Sequence, residues 1–442
     1  MKRLLFFLKS QPLLSALSIV LLTALLLGDG KQTVIDIVSA GGTLSLLIVA
    51  RLFCLRQREM PMGLLLGWFF FFVYLIARTI FSDDVGYSVY AAARWIEVYL
   101  LFYVFFTYSS IQTIQMIPWW ILGFSLFSLF ISALYTFIPF LGKTLTLTNL
   151  LTPVYGHNHI IDVLLLGFPV ALLWLMQKNT WKALIIVVIF YIGAIFSFGR
   201  AGIVLTAILS AITTAVYWKQ LRTRTKRFIV VILVLYLTGG MVVFLTPKQN
   251  IKQLSGVSGE LSASAYNFTQ KDIRFEYWRQ AIASFKERPF FGSGPGTFVL
   301  QSKRLQAFPS SYSTYAHNSI LELVVEMGLT GAFFCFCFTF WFIRRTWTFY
   351  HFHKNVNRNL ATTFLVIIGV QVIYSLIDFT LAYFLIQTVF VLCITAVVIL
   401  FSPQSTQKHL STQRYLYTGS VIVISIFYCM ELLQMLTGGV AQ

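Results

Sequence analysis

The chain has 442 residues, of which 58% are hydrophobic and only 11% charged, and its mean hydropathy is +0.78. Soluble domains carry about 25% charged residues, so the composition excludes an ordinary soluble domain of this length. Apolar runs of about 20 residues, each long enough to cross the hydrocarbon core of a bilayer, recur from end to end. The sequence therefore predicts an all-α polytopic membrane protein.

Thirteen apolar spans follow one another, and weak pairs could merge, so we expect about 12–13 transmembrane helices. The first span follows "MKRLLFFLKS" and lacks a small-residue cleavage site, which favours an uncleaved helix over a signal peptide. The spans are 12–28, 33–55, 61–81, 87–107, 117–138, 159–177, 181–198, 201–218, 228–246, 318–343, 360–377, 384–401 and 416–436.

The spans divide the chain into three parts. Residues 1–246 hold about nine transmembrane helices, residues 247–316 form the only long loop, and residues 317–442 hold about four more helices. The loop contains the amphipathic pattern of a short helix, so we expect a loop domain between two groups of transmembrane helices.

The net charge of +18 is distributed as in a membrane protein rather than a nucleic-acid-binding protein. The short loops on one side hold 19 of the 33 Lys and Arg residues, including the dense run "WKQLRTRTKRF" at 218–228. By the positive-inside rule these loops and the N-terminus are cytoplasmic, and the long loop is external. The side of the C-terminus depends on whether the last span is a full crossing.

Ionisable residues inside the spans are candidates for function because they are costly there. Arg78 and Arg94 flank an external turn that contains Asp83 and Asp84, and Glu97 lies one turn from Arg94 and is predicted to pair with it. The two aspartates keep a metal-dependent mechanism open as an alternative.

Two further polar groups lie at predicted helix mouths. Arg200, in "FSFGRAG", has no acidic neighbour in sequence and glycines on both sides, which is typical of an anion site. In "PVYGHNHIID", the two histidines are two positions apart, and residues at that spacing do not share a helix face. Interfacial capping is therefore favoured over a metal site. The residues concerned are His157, Asn158, His159 and Asp162.

The long loop carries nine basic residues and four acidic residues, which suits an anionic ligand such as phosphate or a solvated face beside anionic lipid. "KDIRFEYWRQAIASFKERP" predicts an amphipathic helix that begins near Arg274 and stops at Pro289. "PFFGSGPGTF" follows with three alternating glycines, which could cradle a phosphate with backbone N–H groups or form a tight turn.

"AHNSILELVVEMGLTG", residues 316–331, places polar groups where the tenth span begins. If a helix starts near Asn318, then Asn318, Glu322 and Glu326 form one stripe. His317 would lie at the helix N-terminus, where the dipole favours the neutral imidazole that a general base requires. The alternative is a capping histidine whose glutamates are neutralised by arginines such as Arg200 or Arg274.

These residues resemble the signature of the O-antigen ligase and polymerase superfamily of bacterial membrane enzymes. His317-Asn318, nine residues and then Gly328-Leu329-Thr330-Gly331 fit the histidine motif of that superfamily. Arg200 fits its arginine element imperfectly, because Val204 stands where the ligases have leucine. The loop pattern is matched by Arg274, Trp278, Pro289, Gly292, Gly294, Gly296 and Phe298.

The resemblance implies an inverting, metal-independent glycosyl transfer without a cofactor at the periplasmic face of the inner membrane. The donor would be a glycan on undecaprenyl diphosphate, and the acceptor would be lipid A–core or another glycan. Membrane lipid would be a further partner, and nucleic acid would not be one. His317 would act as the base or orient the acceptor, and Arg200 and Arg274 would bind the diphosphate. Residues expected to bind substrate or orient these groups are Arg94, Arg279, Asn318, Glu322 and Glu326.

Three alternatives share much of this pattern. A repeat-unit or capsule polymerase would use the same donor with a lipid-linked acceptor, and a protein-glycosylating ligase would use a protein. A transporter or flippase could line its path with the same arginines, but it would more naturally show inverted repeats and broken helices in both halves. The sugars and the oligomeric state are not encoded in any of these motifs.

Overall fold

The computed structural model describes residues 11–27, 32–54, 58–137, 160–197, 199–245, 273–308, 311–352 and 358–401. These residues form fourteen α-helices, two short 3₁₀ helices and no strand. The α-helices are α1 (Pro12–Leu27), α2 (Gln32–Phe53), α3 (Met62–Ile80), α4 (Val85–Tyr108), α5 (Ile111–Phe137), α6 (Ile160–Lys178), α7 (Trp181–Phe196), α8 (Arg200–Tyr217), α9 (Thr223–Leu245), α10 (Arg274–Glu287), α11 (Phe298–Leu305), α12 (Ser319–Phe352), α13 (Arg358–Ser375) and α14 (Phe384–Phe401).

Nine helices in this described part of the chain are long and apolar enough to cross a membrane. Three shorter apolar helices coincide with three further spans predicted from the sequence: Pro12–Leu21, Gly41–Phe53 and Trp181–Phe196. The predicted all-α polytopic membrane fold is therefore confirmed. The thirteenth predicted span, 416–436, lies outside the described residues, so the choice between 12 and 13 crossings stays a prediction.

Two helices extend well beyond the apolar spans that predicted them. Helix α9 begins at Thr223, inside the basic run, and α12 continues to Phe352, past Arg344 and Arg345. Hydropathy detects only the apolar part of a helix, whereas Arg and Lys are good helix formers whose stems also cover apolar surface. The basic ends of these two helices are thus helical although they are polar.

The first of two compact units contains α1, α5 to α9 and α13. Helix α6 is at its centre and packs against α5, α7, α8 and α13. Gly167 permits the close approach of α5 and α7, because a Cβ there would lie 2.6 Å from the Cβ of Ser125 and 2.8 Å from Cζ of Phe190. Arg200 belongs to this unit as the first residue of α8.

The second compact unit contains α3, α4, α10, α11 and α12. Its helices meet around two apolar clusters, one that joins α3, α4 and α12 and one that joins α10, α11 and α12. The first consists of Phe71, Leu75, Ala92 and Met327, and the second of Ala281, Phe298, Ala316 and Val325. The second cluster adjoins His317 and so supports the segment that carries the candidate base.

Candidate active site

The histidine segment, residues 316–318, is shaped by the start of α12. The side-chain oxygen of Asn318 accepts hydrogen bonds from the backbone N–H groups of Ile320 and Leu321, both at 3.0 Å. This N-cap satisfies donors that have no partner inside the helix, and it explains why the helix begins at Ser319. Asn318, predicted as a substrate-binding residue, thus already uses its side-chain oxygen in capping.

His317 precedes this cap in the left-handed backbone region, with φ of 51°. Histidine is among the few non-glycine residues enriched there. Its ring stacks on the ring of Tyr277 from α10, with centroids 5.5 Å apart and planes 17° apart. Tyr277 is buried whereas His317 stays partly exposed, so the imidazole is fixed against the protein without being enclosed by it.

Two carboxylates on the first turns of α12 each bind the backbone of another segment. Oε2 of Glu322 accepts the N–H of Ala316 at 3.0 Å, and Oε1 of Glu326 accepts the N–H of Phe298 at 3.1 Å. Ala316 is fully buried, so Glu322 fixes the backbone immediately before His317. Whether Glu322 also orients the imidazole of His317, as expected from the sequence, stays a prediction.

Arg274 begins α10, three residues before Tyr277, and is partly buried. Residues at this spacing lie on neighbouring positions of one helix face. Arg274 is therefore one turn from the ring that stacks on His317. It takes part in further interactions and is not a free cation.

Arg279, on the same helix, has a different set of partners. Its Nε donates to Oε2 of Glu276 at 2.8 Å, and its Nη2 donates to Oε1 of Glu276 at 2.6 Å and to the carbonyl of Leu305 at 2.7 Å. The hydrogen bonds between Arg279 and Glu276 lower the pKa of the Glu276 carboxyl and raise the pKa of Arg279. Arg279 thus connects α10 to the end of α11, and its contact with substrate stays a prediction.

The glycine loop, residues 289–298, uses its backbone donors within the protein. The N–H of Ser293 donates to the carbonyl of Val325, and the N–H of Gly294 to the carbonyl of Glu326, both at 2.9 Å. The N–H of Gly292 donates to the carbonyl of Arg288 at 3.0 Å. Of the two interpretations left open by the sequence, a phosphate cradle and a tight turn, the structure supports the turn.

Helix α12 is broken at the point where it receives this loop. Gly328 has φ of 62° and ψ of −171°, so the helix direction changes there. Past the break, the N–H groups of Leu329 and Thr330 donate to the carbonyls of Pro289 and Phe290, at 2.8 and 3.1 Å. A Cβ on Gly328 would lie 2.4 Å from the carbonyl of Phe290. This steric clash explains why the motif has glycine at this position.

The turn between α3 and α4 closes the other side of the glycine loop. Asp83 donates its N–H to the carbonyl of Ser293 at 2.9 Å, and its carboxylate pairs with Arg288 and accepts from Gln301 at 2.7 Å. Asp84 caps α4 through the N–H of Tyr87. Within the described ranges, no three side chains of the kinds that bind metals come together.

Arg94 and Arg200 are the remaining predicted site residues. The guanidinium of Arg94 lies 5.8 Å from the centre of the Tyr90 ring. Arg200 begins α8 next to a tight contact, since a Cβ on Gly202 would lie 2.1 Å from Cγ1 of Ile161. Both arginines and Glu97 have further interactions, so Arg200 is not the unpaired cation expected from the sequence.

His157, Asn158 and His159 lie outside the described residues, whereas Asp162 is buried in α6. The structure gives new importance to Tyr277 and also to Arg78, which the sequence marked only as an ionisable residue in a span. Tyr277 lies in the segment predicted to be an amphipathic helix, and its position three residues after Arg274 is visible in the sequence. Arg78 holds the carbonyl of Gly292 with its Nη2 at 3.1 Å, a contact between residues more than 200 positions apart that no local pattern indicates.

Comparison with known proteins supports the resemblance noted from the motifs. Residues 185–337 match the family model described as O-Antigen ligase. This region contains Arg200, Arg274, the glycine loop and the histidine segment. No curated protein matches the chain.

Proposed function

Residues 185–337 of this chain match the model of the O-antigen ligase family, and from this match we propose the reaction and its participants. The protein transfers a glycan from undecaprenyl diphosphate to a sugar hydroxyl of lipid A–core at the periplasmic face of the bacterial inner membrane. The observation that carries the proposal is the His317 imidazole, stacked on Tyr277 and partly exposed beside a cap and a carboxylate that fix its backbone.

His317 would remove the proton from the acceptor hydroxyl as that oxygen attacks C1 of the donor sugar. The new C1–O bond forms as the bond between C1 and the diphosphate oxygen breaks, and the leaving diphosphate takes the electron pair. Attack from the face opposite the leaving group inverts the configuration at C1. The proton passes from His317 to solvent or to the departing phosphate, so the residue is restored for another cycle.

Charge on the leaving diphosphate needs a positive partner, and stabilising such charge is commonly a large part of catalysis. Arg274 would supply it from the start of α10, where the positive end of the helix dipole adds to its charge. Arg200 would be the second arginine, from the start of α8. The donor is already activated by its diphosphate, so the proposed reaction requires neither a nucleotide nor a metal ion.

The test is transfer by the purified full-length chain in proteoliposomes that contain a lipid-linked glycan and lipid A–core. We expect glycan on lipid A–core with the anomeric configuration inverted, without added nucleotide and with EDTA present. Movement of the lipid-linked glycan between leaflets without any covalent product would reject the enzyme in favour of a transporter. Loss of activity on adding EDTA would reject the metal-independent mechanism.

The product also identifies the acceptor. Lengthened polyprenyl-linked chains would replace the proposed ligase with a polymerase, and glycan on a protein would replace it with a protein-glycosylating enzyme. Both outcomes would keep the donor and the role of His317 and would overturn lipid A–core as the acceptor.

A further inference from the structure

Arg78 is a cation near the end of a membrane helix that the proposed reaction does not use. It lies in the last turn of α3 and is partly buried. Nη1 donates to the carbonyl of Phe81 at 3.3 Å and Nη2 to that of Gly292 at 3.1 Å. Nε is buried and has no hydrogen-bond partner within the described structure. Nη1 and Nη2 each carry a second N–H, so the guanidinium retains donor capacity for another acceptor.

A second arginine lies close by in the same compact unit. Arg288 and Asp83 are near enough to act electrostatically on Arg78. Asp83 pairs with Arg288 but also accepts from Gln301, so one carboxylate stands against two guanidinium groups. The cluster keeps an excess positive charge, and the side chain of Arg288 is 53% exposed.

The surroundings of these arginines are apolar and exposed. Ile80 is the last residue of α3 and Phe81 follows it. Phe290 and Phe291 lie in the glycine loop, which is hydrogen-bonded to both α3 and α12. Each of these side chains, and that of Leu329 on α12, has roughly half or more of its surface exposed. The backbone contacts of Phe290 and Pro289 with Thr330 and Leu329 attach this group to a membrane-spanning helix.

Aromatic side chains beside arginines at the end of a membrane helix are typical of the interface between hydrocarbon and headgroups. A guanidinium binds phosphate oxygens through charge-assisted hydrogen bonds. We propose that Arg78 and Arg288 form a binding site for the phosphate group of a membrane lipid, whose hydrocarbon chain lies beside Phe81, Phe290 and Leu329. The site uses neither His317 nor Arg274, and its test requires no transfer activity.

Native mass spectrometry of the full-length chain in detergent tests the proposal, with dioleoyl phosphatidylglycerol as the probe and dioleoylglycerol as the phosphate-free comparison. Replacing both arginines, Arg78→Gln with Arg288→Gln, should weaken phosphatidylglycerol binding about tenfold or more, as expected when charge-assisted hydrogen bonds are lost. The matched control is Lys286→Gln with Lys303→Gln, which removes two exposed cations from α10 and α11 and should leave binding unchanged.

Competition identifies the source of the phosphate. Undecaprenyl diphosphate that displaces phosphatidylglycerol supports a site shared with the donor lipid, and failure to displace it supports a phospholipid site. Displacement by millimolar inorganic phosphate, with equal retention of dioleoylglycerol and phosphatidylglycerol, would overturn the lipid assignment. Equal losses in the two double variants would also overturn it.

Folding of the variants is checked through the unfolding midpoint and a charge-preserving pair. Arg78→Lys with Arg288→Lys should keep phosphatidylglycerol binding within about threefold, since the positive charge remains. If the double glutamine variant fails to fold, Arg288→Gln alone, at an exposed position, should still weaken binding measurably. Unchanged binding in that single variant would then contradict the proposal.

Discussion

The histidine segment and the glycine loop both bind to the first turns of α12, yet they use their polar groups in opposite ways. In the glycine loop, backbone N–H groups are taken up by α12, which leaves few to meet a ligand. In the histidine segment, Asn318 and Glu322 satisfy the backbone, and the imidazole of His317 stays partly exposed. Under the proposed function, the histidine segment supplies chemistry and the glycine loop supplies shape.

The comparison is sharpest at His317, where we expect the largest effect. Asparagine tolerates the left-handed backbone that His317 adopts, so His317→Asn removes the imidazole with little added strain. Transfer should fall by about 100-fold or more, the usual contribution of a general base, while the thermal unfolding midpoint stays close to that of the parent. A rate within about threefold of the parent would show that the imidazole does no chemistry.

Gly328 tests the opposite half of the comparison. Gly328→Ala would bring a Cβ to 2.4 Å from the Phe290 carbonyl at a positive φ, so we expect a loss of at least about 2 kcal/mol in the free energy of unfolding. The control is Gly67→Ala in α3, where a Cβ would meet nothing within 4 Å. Equal unfolding free energies for the two variants in detergent would contradict the steric account of the glycine motif.

Arg274 should have an intermediate effect that falls on donor use rather than on folding. Arg274→Ala should lower kcat/KM for the lipid-linked donor about 10- to 100-fold, the range expected when a hydrogen bond to a charged group is lost. Arg274→Lys should recover part of this, because it keeps the charge without the planar fork. Lys286→Ala, an exposed cation on the same helix, is the matched control, and an equal loss there would indicate a general charge effect.

Replacing Glu276 should have the smallest effect, because the ion pair of Glu276 with Arg279 takes no part in the proposed reaction. Arg279 lowers the pKa of Glu276 in the folded protein, so the stabilisation is fully present above the unfolded-state pKa of about 4.3. It is lost as the pH falls through the folded-state value. Glu276→Gln should therefore cost about 0.5 kcal/mol from pH 8 to about 5, and the difference should vanish at lower pH.

The effect of Glu276→Gln is measured as the change in unfolding midpoint across this pH range, once in the parent and once in an Arg279→Gln background. The comparison isolates the contribution of the Glu276–Arg279 pair. The pH-dependent difference should be absent when Arg279 is replaced. A difference that persists in that background would assign the effect to the contacts of Glu276 with Gln280 and Ala307 instead.

The architecture was largely predictable from the sequence, because long apolar runs and the amphipathic pattern of α10 indicate which residues are buried. Helix α10 was expected to stop at Pro289 and ends at Glu287. Helix α11 was not expected, since its eight residues are too few to establish a period. The roles of His317 and Arg274 in the site remain predictions from the motifs. The structure adds the stacking of the His317 ring on Tyr277.

The use of the glycine loop was not predictable, since it depends on contacts between distant parts of the chain. Alternating glycines predict a turn or an anion cradle equally well, and only the carbonyls of Val325 and Glu326 decide between them. The same holds for Arg279, whose partners Glu276 and Leu305 become visible only when α10 and α11 meet.

The break at Gly328 gives the interval between the histidine and the glycine a geometrical meaning. Nine helical residues separate Asn318 from Gly328, a rise of about 14 Å, and each adds about 100° of rotation. One residue more or fewer would change the rise by only about 1.5 Å. It would, however, turn His317 about 100° around the helix axis, away from Tyr277. The nine-residue interval therefore fixes the direction of His317 around the helix axis, relative to Gly328, more strictly than it fixes the distance between them.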